Sequence, residues 1–361
     1  MVLLRTCEPP LERSKRLETR RGTSVPSGRA RNEGSGCDVP VPRTVSFITD
    51  GTVKYSQCGR IGERCARAAQ CAQTASWVDG PQSMKFGIAT FVTDRGMAPG
   101  PLAKAVEERG FHSLVVAEHS HMPVAFEEPY PGAGELPPDL YRTLDPFVAL
   151  ASAAASTHSL RLTTGVVLLA QRDVILAAKE VATLDLVSNG RVVFGVGSGW
   201  NQHEMRHHGV DPATRGAKLD EQLQALKQIW ANDTAEFRGN FVNFDALASW
   251  PKPVQQPYPP IYIGGASPAA LQRLRLLGDG WLPLGGIAPD DVLRGRRWLA
   301  DQGRPEVPTT ICSAGRDRNT SAAYAQAGVD EVSFRLPTLP EATTLRELDE
   351  LADLAQSVAT G

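Results

Sequence analysis

This sequence lacks long apolar segments and any strong excess of one charge. Its 361 residues carry a formal net charge of −2, and this balance argues against nucleic acid as a partner. No run of about 20 apolar residues is present, so we expect no membrane span. An apolar signal-peptide core is also missing.

Cysteine is scarce in most of the chain. Five of the six cysteines lie in the first 83 residues, at spacings that fit neither a CxxC metal knuckle nor a compact disulfide scaffold, and only Cys312 lies beyond them. The sequence therefore gives no sign of an oxidising compartment. We expect a cytoplasmic protein.

The first 83 residues also lack hydrophobic periodicity. They contain 13 Lys/Arg against 8 Asp/Glu, whereas the remaining residues contain 25 against 32. Met84 then opens MKFGIATFV, which is typical of the start of a domain. We predict an N-terminal extension over 1–83, either disordered or added by too early a start codon, and a folded domain over 84–361. A transit peptide fits less well because Glu8, Glu12 and Glu18 interrupt an acidic-poor pattern.

Residues 161–200 predict a complete βαβ unit. Leu160 to Leu169 is an almost unbroken aliphatic run, as in a parallel strand buried on both faces, and Val174 to Val187 has helical spacing. Asn189-Gly190 supplies the left-handed residues that close a helix. The next strand runs into GVGSGW, residues 195–200, where backbone N–H groups before a helix can bind a phosphate.

The alternation of strand and helix continues through 84–361. Eight strands, each followed by a helix, predict an α/β fold of the (β/α)8 TIM-barrel type. They begin near Phe86, His112, Leu160, Val192, Ile261, Gly280, Val307 and Glu331. A long loop from Met122 to Thr143, rich in Pro, Gly and acidic residues, predicts a lid or binding loop. Active sites of such barrels lie at the C-terminal ends of the strands.

Several blocks of the sequence resemble the luciferase-like monooxygenase family, and within it the coenzyme F420-dependent oxidoreductases. In chain order they are FHSLVVAEH, LDPFVAL, residues 161–200, WPKPVQ, PPIYIGGASPAAL and DGWLP. The resemblance implies an enzyme that moves a hydride between the deazaflavin F420 and a small organic substrate. The alternative within the family is an FMN-dependent monooxygenase supplied by a partner flavin reductase. Family members are commonly homodimers.

The resemblance also implies roles for individual residues. Gly165-Val166 matches the position of a non-proline cis peptide that supports the cofactor ring. The other residues implied in cofactor binding are Gly197, Ser198, Gly199, Trp200, Gly264, Gly265 and Ser267. His119 matches the histidine that F420-dependent sugar-phosphate dehydrogenases place beside the reacting carbon, so we predict that it donates or accepts a proton. A purely structural histidine is the alternative.

The residue after the GxG turn sets the expected substrate. Sugar-phosphate dehydrogenases have a glutamate there, whereas this chain has Trp200, so a sugar phosphate is not expected. An indole would instead enlarge an apolar wall. We therefore predict a small, largely apolar substrate, with Phe91, His121 and Tyr130 lining its loop.

One motif indicates a different class of protein. Residues 203–207 match H-E-x-x-H, in which two histidines on one helical face bind zinc beside a glutamate base. However, Gly209 and Asp211-Pro212 end the helix at once, and Val210 stands where the longer metzincin motif has glycine. A zinc hydrolase through His203 and His207 remains an alternative, and so does a cofactor-binding barrel without turnover. We predict no metal site.

Overall fold

The computed structural model describes residues 84–127, 129–130 and 135–360. The predicted extension over 1–83 lies outside these residues. The strands are β1 Lys85–Thr90, β2 Ser113–Val116, β3 Arg161–Thr164, β4 Val192–Val196, β5 Ala235–Arg238, β6 Asn243–Leu247, β7 Ile261–Gly264, β8 Gly280–Leu282, β9 Thr310–Ala314 and β10 Glu331–Leu336.

Eight of these strands form a parallel barrel, which confirms the predicted fold. Their order around the sheet is β8-β7-β4-β3-β2-β1-β10-β9. Between β8 and β9 the pairing is reduced to two isolated bridges, Trp281 with Thr309 and Leu284 with Cys312. The amide of Cys312 also donates to the Pro283 carbonyl at 2.9 Å. These contacts bring the two edge strands together, and the remaining strands, β5 and β6, form a separate antiparallel hairpin.

Helices cover the outside of the barrel. They are α1 Pro99–Glu108, α2 Pro146–Ser156, α3 Val174–Val187, α4 Gln202–His207, α5 Arg215–Ala231, α6 Pro268–Leu277, α7 Pro289–Asp301, α8 Arg318–Gln326 and α9 Glu341–Ala359. Several begin at a residue whose side chain accepts a backbone N–H of the first turn, as Asp145 does for α2 and Asn201 for α4. Within the described ranges, none of these helices combines the length and apolarity needed to cross a membrane.

The third strand is shorter than the sequence indicates. The aliphatic run predicted a strand to Leu169, but β3 ends at Thr164 and the Gly165–Val166 peptide is cis. A single bridge joins Val167 to β4, and a 3-10 turn covers Leu169–Gln171. Val167 and Leu169 are nevertheless fully buried. The apolar pattern therefore predicted the burial of this segment correctly, but only its first residues have the extended backbone of a strand.

Glu107 ties the end of α1 to the chain entering β3. Its carboxylate accepts the backbone N–H groups of His158, Ser159 and Leu160. Burial raises the pKa of Glu107, but these hydrogen bonds outweigh burial and bring it from 4.5 to about 2. Because the folded pKa is the lower one, the stabilisation is fully present above about pH 4.5 and is lost as the pH falls towards 2.

We expect Glu107→Gln to lower the free energy of unfolding at pH 7 by about 1–2 kcal/mol, since hydrogen bonds to a charged acceptor are lost. The difference from the unmodified protein should shrink between pH 4.5 and 2 in urea denaturation. Glu108→Gln is the matched control, because the adjacent Glu108 makes only an exposed ion pair with Lys104 at 3.8 Å. Equal effects of the two substitutions would contradict this role of Glu107.

Candidate active site

A buried imidazole lies at the C-terminal end of β2. Nδ1 of His119 is 2.8 Å from Oε2 of Glu204, and both side chains are almost inaccessible to solvent. The indole Nε1–H of Trp200 donates to Nε2 of His119 at 3.3 Å. An indole nitrogen can only donate, so Nε2 is the acceptor and Nδ1 carries the ring hydrogen. In this arrangement Nε2 of His119 is an unprotonated acceptor beside Trp200.

Glu204 is fixed from several directions. Its own amide donates to Asn201 Oδ1 at 3.0 Å, which begins α4. Its Oε1 accepts both the backbone N–H of Ser120, at 3.1 Å, and the Ser120 hydroxyl, at 3.3 Å. Burial raises the pKa of Glu204, but the hydrogen bond from His119, the positive charge that His119 carries once protonated and the Ser120 amide outweigh it, so the net shift is downward. The ionised carboxylate is thereby favoured next to the imidazole.

Trp200 forms an aromatic wall with the long loop. The rings of Phe126 and Tyr130 both meet the indole edge to face, with centroids 5.7 Å and 5.8 Å away. Burial raises the pKa of Tyr130 above its ordinary value, so the phenol is neutral at physiological pH. These contacts bring Tyr130, Trp200 and His119 together in one place. Their apolar surface is suited to an uncharged substrate.

The cis Gly165–Val166 peptide agrees with the geometry that the resemblance implied. The Val166 side chain lies between two glycines: a Cβ on Gly197 would be 2.6 Å from Val166 Cγ2, and one on Gly264 would be 2.7 Å from Val166 Cγ1. A Cβ on Gly165 would be 2.2 Å from a Val115 methyl group. Three of the predicted glycines are therefore required by packing around the cis Gly165–Val166 segment, here called the bulge.

We expect Gly197→Ala to lower the free energy of unfolding by about 1–3 kcal/mol, because the added methyl group overpacks against Val166. In a Val166→Ala background most of this loss should disappear. Gly264→Ala should be rescued only partly, since its methyl group would still lie 3.2 Å from the Val196 carbonyl. Urea denaturation of the single and double variants measures both couplings, and additive effects would contradict the packing.

The turn after β7 is the most open of the predicted cofactor-binding segments. Gly265 has φ +91° and Ser267 Oγ accepts the Ala270 amide at the start of α6. The indole of the buried Trp281 donates to the Gly265 carbonyl at 2.8 Å, which anchors the turn. Residues 265–269 are exposed. The helix start thus presents backbone N–H groups and its positive dipole to solvent, as anion sites do.

The other glycine turn lies closer to α4. Gly199 has φ +76°, and a Cβ there would be 2.9 Å from the Met205 methyl group. Ser198 and Gly199 are partly exposed next to Trp200. This turn therefore connects β4 directly to the segment that carries Trp200 and Glu204.

Glu118 links the end of β2 to the chain beyond the bulge. Its carboxylate accepts the Leu168 amide at 2.6 Å and Nε of Arg172 at 2.7 Å. Arg172 also binds Asp145 and Glu180. This network holds the barrel rim together.

His121 and Phe91 do not contact His119 directly, although the Ser120 hydroxyl lies between His121 and Glu204. Nε2 of His121 lies 2.7 Å from Nδ1 of His207, and the two rings stack. Phe91 follows β1, where its carbonyl accepts the Thr338 hydroxyl at 2.9 Å. Their assignment to a substrate loop remains a prediction.

The side chains of the HExxH segment, residues 203–207, do not have the contacts of a zinc site. Glu204, which would serve as the base beside a metal, is bound by His119 and Ser120 instead. The helix has only six residues and ends before Gly209, whose φ is +69°. In the part of the chain that the structure describes, no group of three or more His, Cys, Asp or Glu side chains is arranged to hold a metal ion. This geometry gives the zinc-hydrolase alternative no support.

Sequence reasoning missed Glu204 and Ser120 as members of the site. One local signal existed: Asn201 followed three residues later by a glutamate resembles a capping box, which marks the helix start. The pairing with His119 has no local signal, because the two residues are 85 positions apart.

The fold and the site together define the class. A (β/α)8 barrel carries its chemistry at the C-terminal ends of the strands, where the His119–Glu204 pair lies, and this placement is that of a barrel enzyme. The chain belongs to the luciferase-like monooxygenase family, whose family model matches residues 89–329.

Individual relatives are similar over most of the chain. An uncharacterized protein of Mycobacterium tuberculosis, Rv0953c, is 38% identical over 266 residues, which cover 70% of this chain and 92% of the relative. The monooxygenase RslO1 of Streptomyces bottropensis superimposes with a TM-score of 0.60 at 21% identity, covering 76% of this chain and 99% of that one. An F420-dependent secondary alcohol dehydrogenase, in complex with an F420-acetone adduct, gives a TM-score of 0.60 at 16% identity, covering 77% and 99%. At these identities the two structures establish the fold alone.

Proposed function

We propose that this protein is an F420-dependent oxidoreductase that interconverts a small, largely apolar alcohol and its carbonyl compound. The observation that carries the proposal is the buried His119–Glu204 pair, whose Nε2 is unprotonated beside an aromatic wall. An alcohol that loses hydride from carbon must also lose its hydroxyl proton, and an imidazole oriented by a carboxylate is suited to take it. The solved F420-dependent alcohol dehydrogenase with the same fold supports this choice.

The residues at the C-terminal ends of the barrel strands, here called the mouth, fit a flat, anionic cofactor. Val166 presents its side chain in the cis bulge between Gly197 and Gly264, at the level where we place the ring. We assign a phosphate of the cofactor to the exposed turn of Gly265 and Ser267 at the start of α6. When bound, a deazaflavin supplies or takes up the hydride and reacts poorly with oxygen, because it has carbon in place of N5.

Each residue near His119 has a task in this proposal. Nε2 of His119 accepts the hydroxyl proton of the alcohol or returns it in the reverse direction. The ionised Glu204 stabilises the resulting imidazolium through Nδ1–H. Trp200 occupies Nε2 in the absence of substrate, so the substrate hydroxyl replaces the indole N–H as its partner. Phe126 and Tyr130 exclude water from the space beside Trp200.

An FMN-dependent monooxygenase is the second candidate. The family description and the monooxygenase RslO1 favour it. In that function a partner reductase would supply reduced FMN, and the same apolar wall would shield the site from water.

A turnover assay separates the two functions. The full-length protein is incubated with F420 and a panel of short secondary alcohols while F420 absorbance is followed, and oxygen consumption is measured in parallel with FMN and a flavin reductase. We expect alcohol-dependent loss of oxidised F420 that is the same with and without oxygen. Oxygen uptake that needs FMN, substrate and reductase together would contradict the proposal and support the monooxygenase.

A further inference from the structure

A continuous chain of hydrogen bonds leads from the buried His119 to the surface. Oε2 of Glu204 is bound to His119 Nδ1, and its Oε1 to the Ser120 hydroxyl at 3.3 Å. The same Ser120 oxygen lies 2.9 Å from Nδ1 of His121 and 2.7 Å from Nε2 of His208. His121 continues to His207, and both His207 and His208 are exposed. Ser120 is thus a branch point between one buried carboxylate and two routes to solvent.

One assignment of hydrogens satisfies every link in this chain. An ionised carboxylate only accepts, so the Ser120 hydroxyl and Nδ1–H of His119 both donate to Glu204. The Ser120 oxygen then accepts from the rings of His121 and His208. With its hydrogen on Nδ1, His121 accepts at Nε2 from His207. All three rings carry a single ring hydrogen in this arrangement. Four of the five links are 2.7–2.9 Å long, and the link between Ser120 and Glu204 is the longest, at 3.3 Å.

We propose that Glu204, Ser120 and the His121–His207–His208 cluster form a proton relay between His119 and solvent. This inference rests on the proposed function, in which His119 accepts a proton while substrate occupies the mouth. A bound substrate and Trp200 occupy the Nε2 side of the ring, so the Nδ1 side is the remaining route. Glu204 and Ser120 act through His119 and do not contact the substrate.

The relay conserves protons at every step. The imidazolium formed at His119 gives its Nδ1 proton to Oε2 of Glu204, which becomes neutral. The neutral carboxyl group then turns so that its O–H faces Ser120, and it gives that proton to Ser120 Oγ. At the same time Ser120 passes its own proton to a ring nitrogen of His121 or His208, which has turned to its acceptor tautomer. The surface imidazolium loses the proton to water. When product leaves, one proton returns along the chain to Nδ1, and Nε2 then loses its proton to water. His119 thereby regains its starting tautomer, and one proton is released per turnover.

The charges around the His121–His207–His208 cluster favour the release of a proton to water. Burial and the positive charge of a protonated His121 lower the pKa of His208, with Glu204 and Glu118 opposing and His207 adding to the decrease. His208 therefore releases a proton to water readily. The two carboxylates that oppose this decrease, Glu204 and Glu118, are both buried.

Ser120→Ala tests the relay with little disturbance of Glu204. The substitution removes the hydroxyl, but the backbone N–H of Ser120 still donates to Glu204 at 3.1 Å. In ¹⁵N-histidine NMR of the protein without cofactor, we expect His119 to keep its Nδ1–H tautomer. Solvent exchange of that hydrogen should slow by at least about tenfold. Ser120→Thr keeps a hydroxyl and should restore most of the exchange.

The branch gives a second test. His121→Gln and His208→Gln should each leave the exchange rate of the His119 Nδ1 hydrogen within about twofold of that in the unmodified protein, because the other route stays open. In the double variant the exchange should be as slow as in Ser120→Ala. His158→Gln, an exposed histidine at the opposite end of the barrel, is the control. An unchanged exchange rate in Ser120→Ala would overturn the relay. A changed His119 tautomer in that variant would also overturn it, because it would mean that Ser120 only positions Glu204.

The NMR readout separates this inference from the proposed function. It needs no cofactor or substrate, so failure of F420 turnover would leave the exchange result intact. In active enzyme, we further expect Ser120→Ala to lower turnover and to respond to added imidazole buffer, whereas Ser120→Thr should not. Loss of turnover without buffer rescue would count against the relay.

Discussion

Replacing His119 with alanine is expected to lower turnover by about 10²- to 10⁴-fold, the usual contribution of a positioned general acid or base. The affinity for cofactor should change little, because the glycine turns and the Val166 bulge are separate from the imidazole. The measurement is steady-state turnover together with cofactor titration of the same preparation. A selective loss of turnover is expected because His119 is the buried base whose Nε2 lies beside the aromatic wall.

A second substitution distinguishes the loss of a catalytic group from a loss of stability. Alanine leaves Glu204 buried without its ring partner, which itself costs stability. His119→Asn places an amide N–H near the position of Nδ1, where it can still donate to Glu204, but an amide cannot take up a proton. We expect His119→Asn to be as inactive as His119→Ala and closer to the unmodified protein in thermal stability. Near-normal turnover in either variant with cofactor bound would show that the histidine is structural.

Gly195→Ala is expected to have the largest effect on stability. An added Cβ would lie 1.9 Å from the backbone carbonyl oxygen of Thr164 and 2.8 Å from a Leu282 methyl group. The carbonyl belongs to the end of β3, just before the bulge, so relief requires β3 and β4 to separate. We expect a loss of roughly 3 kcal/mol or more in the free energy of unfolding, at the upper end for overpacking. Cofactor affinity should also fall, because the bulge moves with β3.

Gly315→Ala is the matched control for that substitution. Gly315 directly follows β9 at the same end of the barrel, and a Cβ there would meet nothing within 4 Å. Its effect on unfolding should stay within about 0.5 kcal/mol. A similar result for Gly195→Ala in urea denaturation would mean that the close approach of β3 and β4 is not as tight as described.

The barrel could be predicted because its strands have a local signature. Aliphatic runs such as the one beginning at Val192 are typical of strands buried on both faces, and Asn189-Gly190 marks a helix end by backbone conformation alone. The structure has both residues at positive φ, 56° and 76°. Where a helix or strand is set by its own residues, the sequence contains enough information.

The site could be predicted only in part, because its key contact joins distant residues. His119 and Trp200 could be placed at the mouth from the strand order, but the His119–Glu204 pair depends on how the ends of β2 and β4 are brought together. Local spacing alone suggested a zinc motif around Glu204. The role of Trp200 was also incomplete: it forms the expected aromatic wall and in addition donates a hydrogen bond to His119.

Cofactor choice is the most direct test of the central claim that the barrel mouth binds a deazaflavin for hydride transfer. The full-length protein is titrated separately with F420 and with FMN while cofactor fluorescence is followed, and Gly264→Ala serves as the variant with a disturbed bulge. We predict saturable binding of F420, weak or no binding of FMN, and reduced F420 affinity in the variant. Tight binding of FMN without binding of F420 would contradict the account and leave the monooxygenase as the function of this barrel.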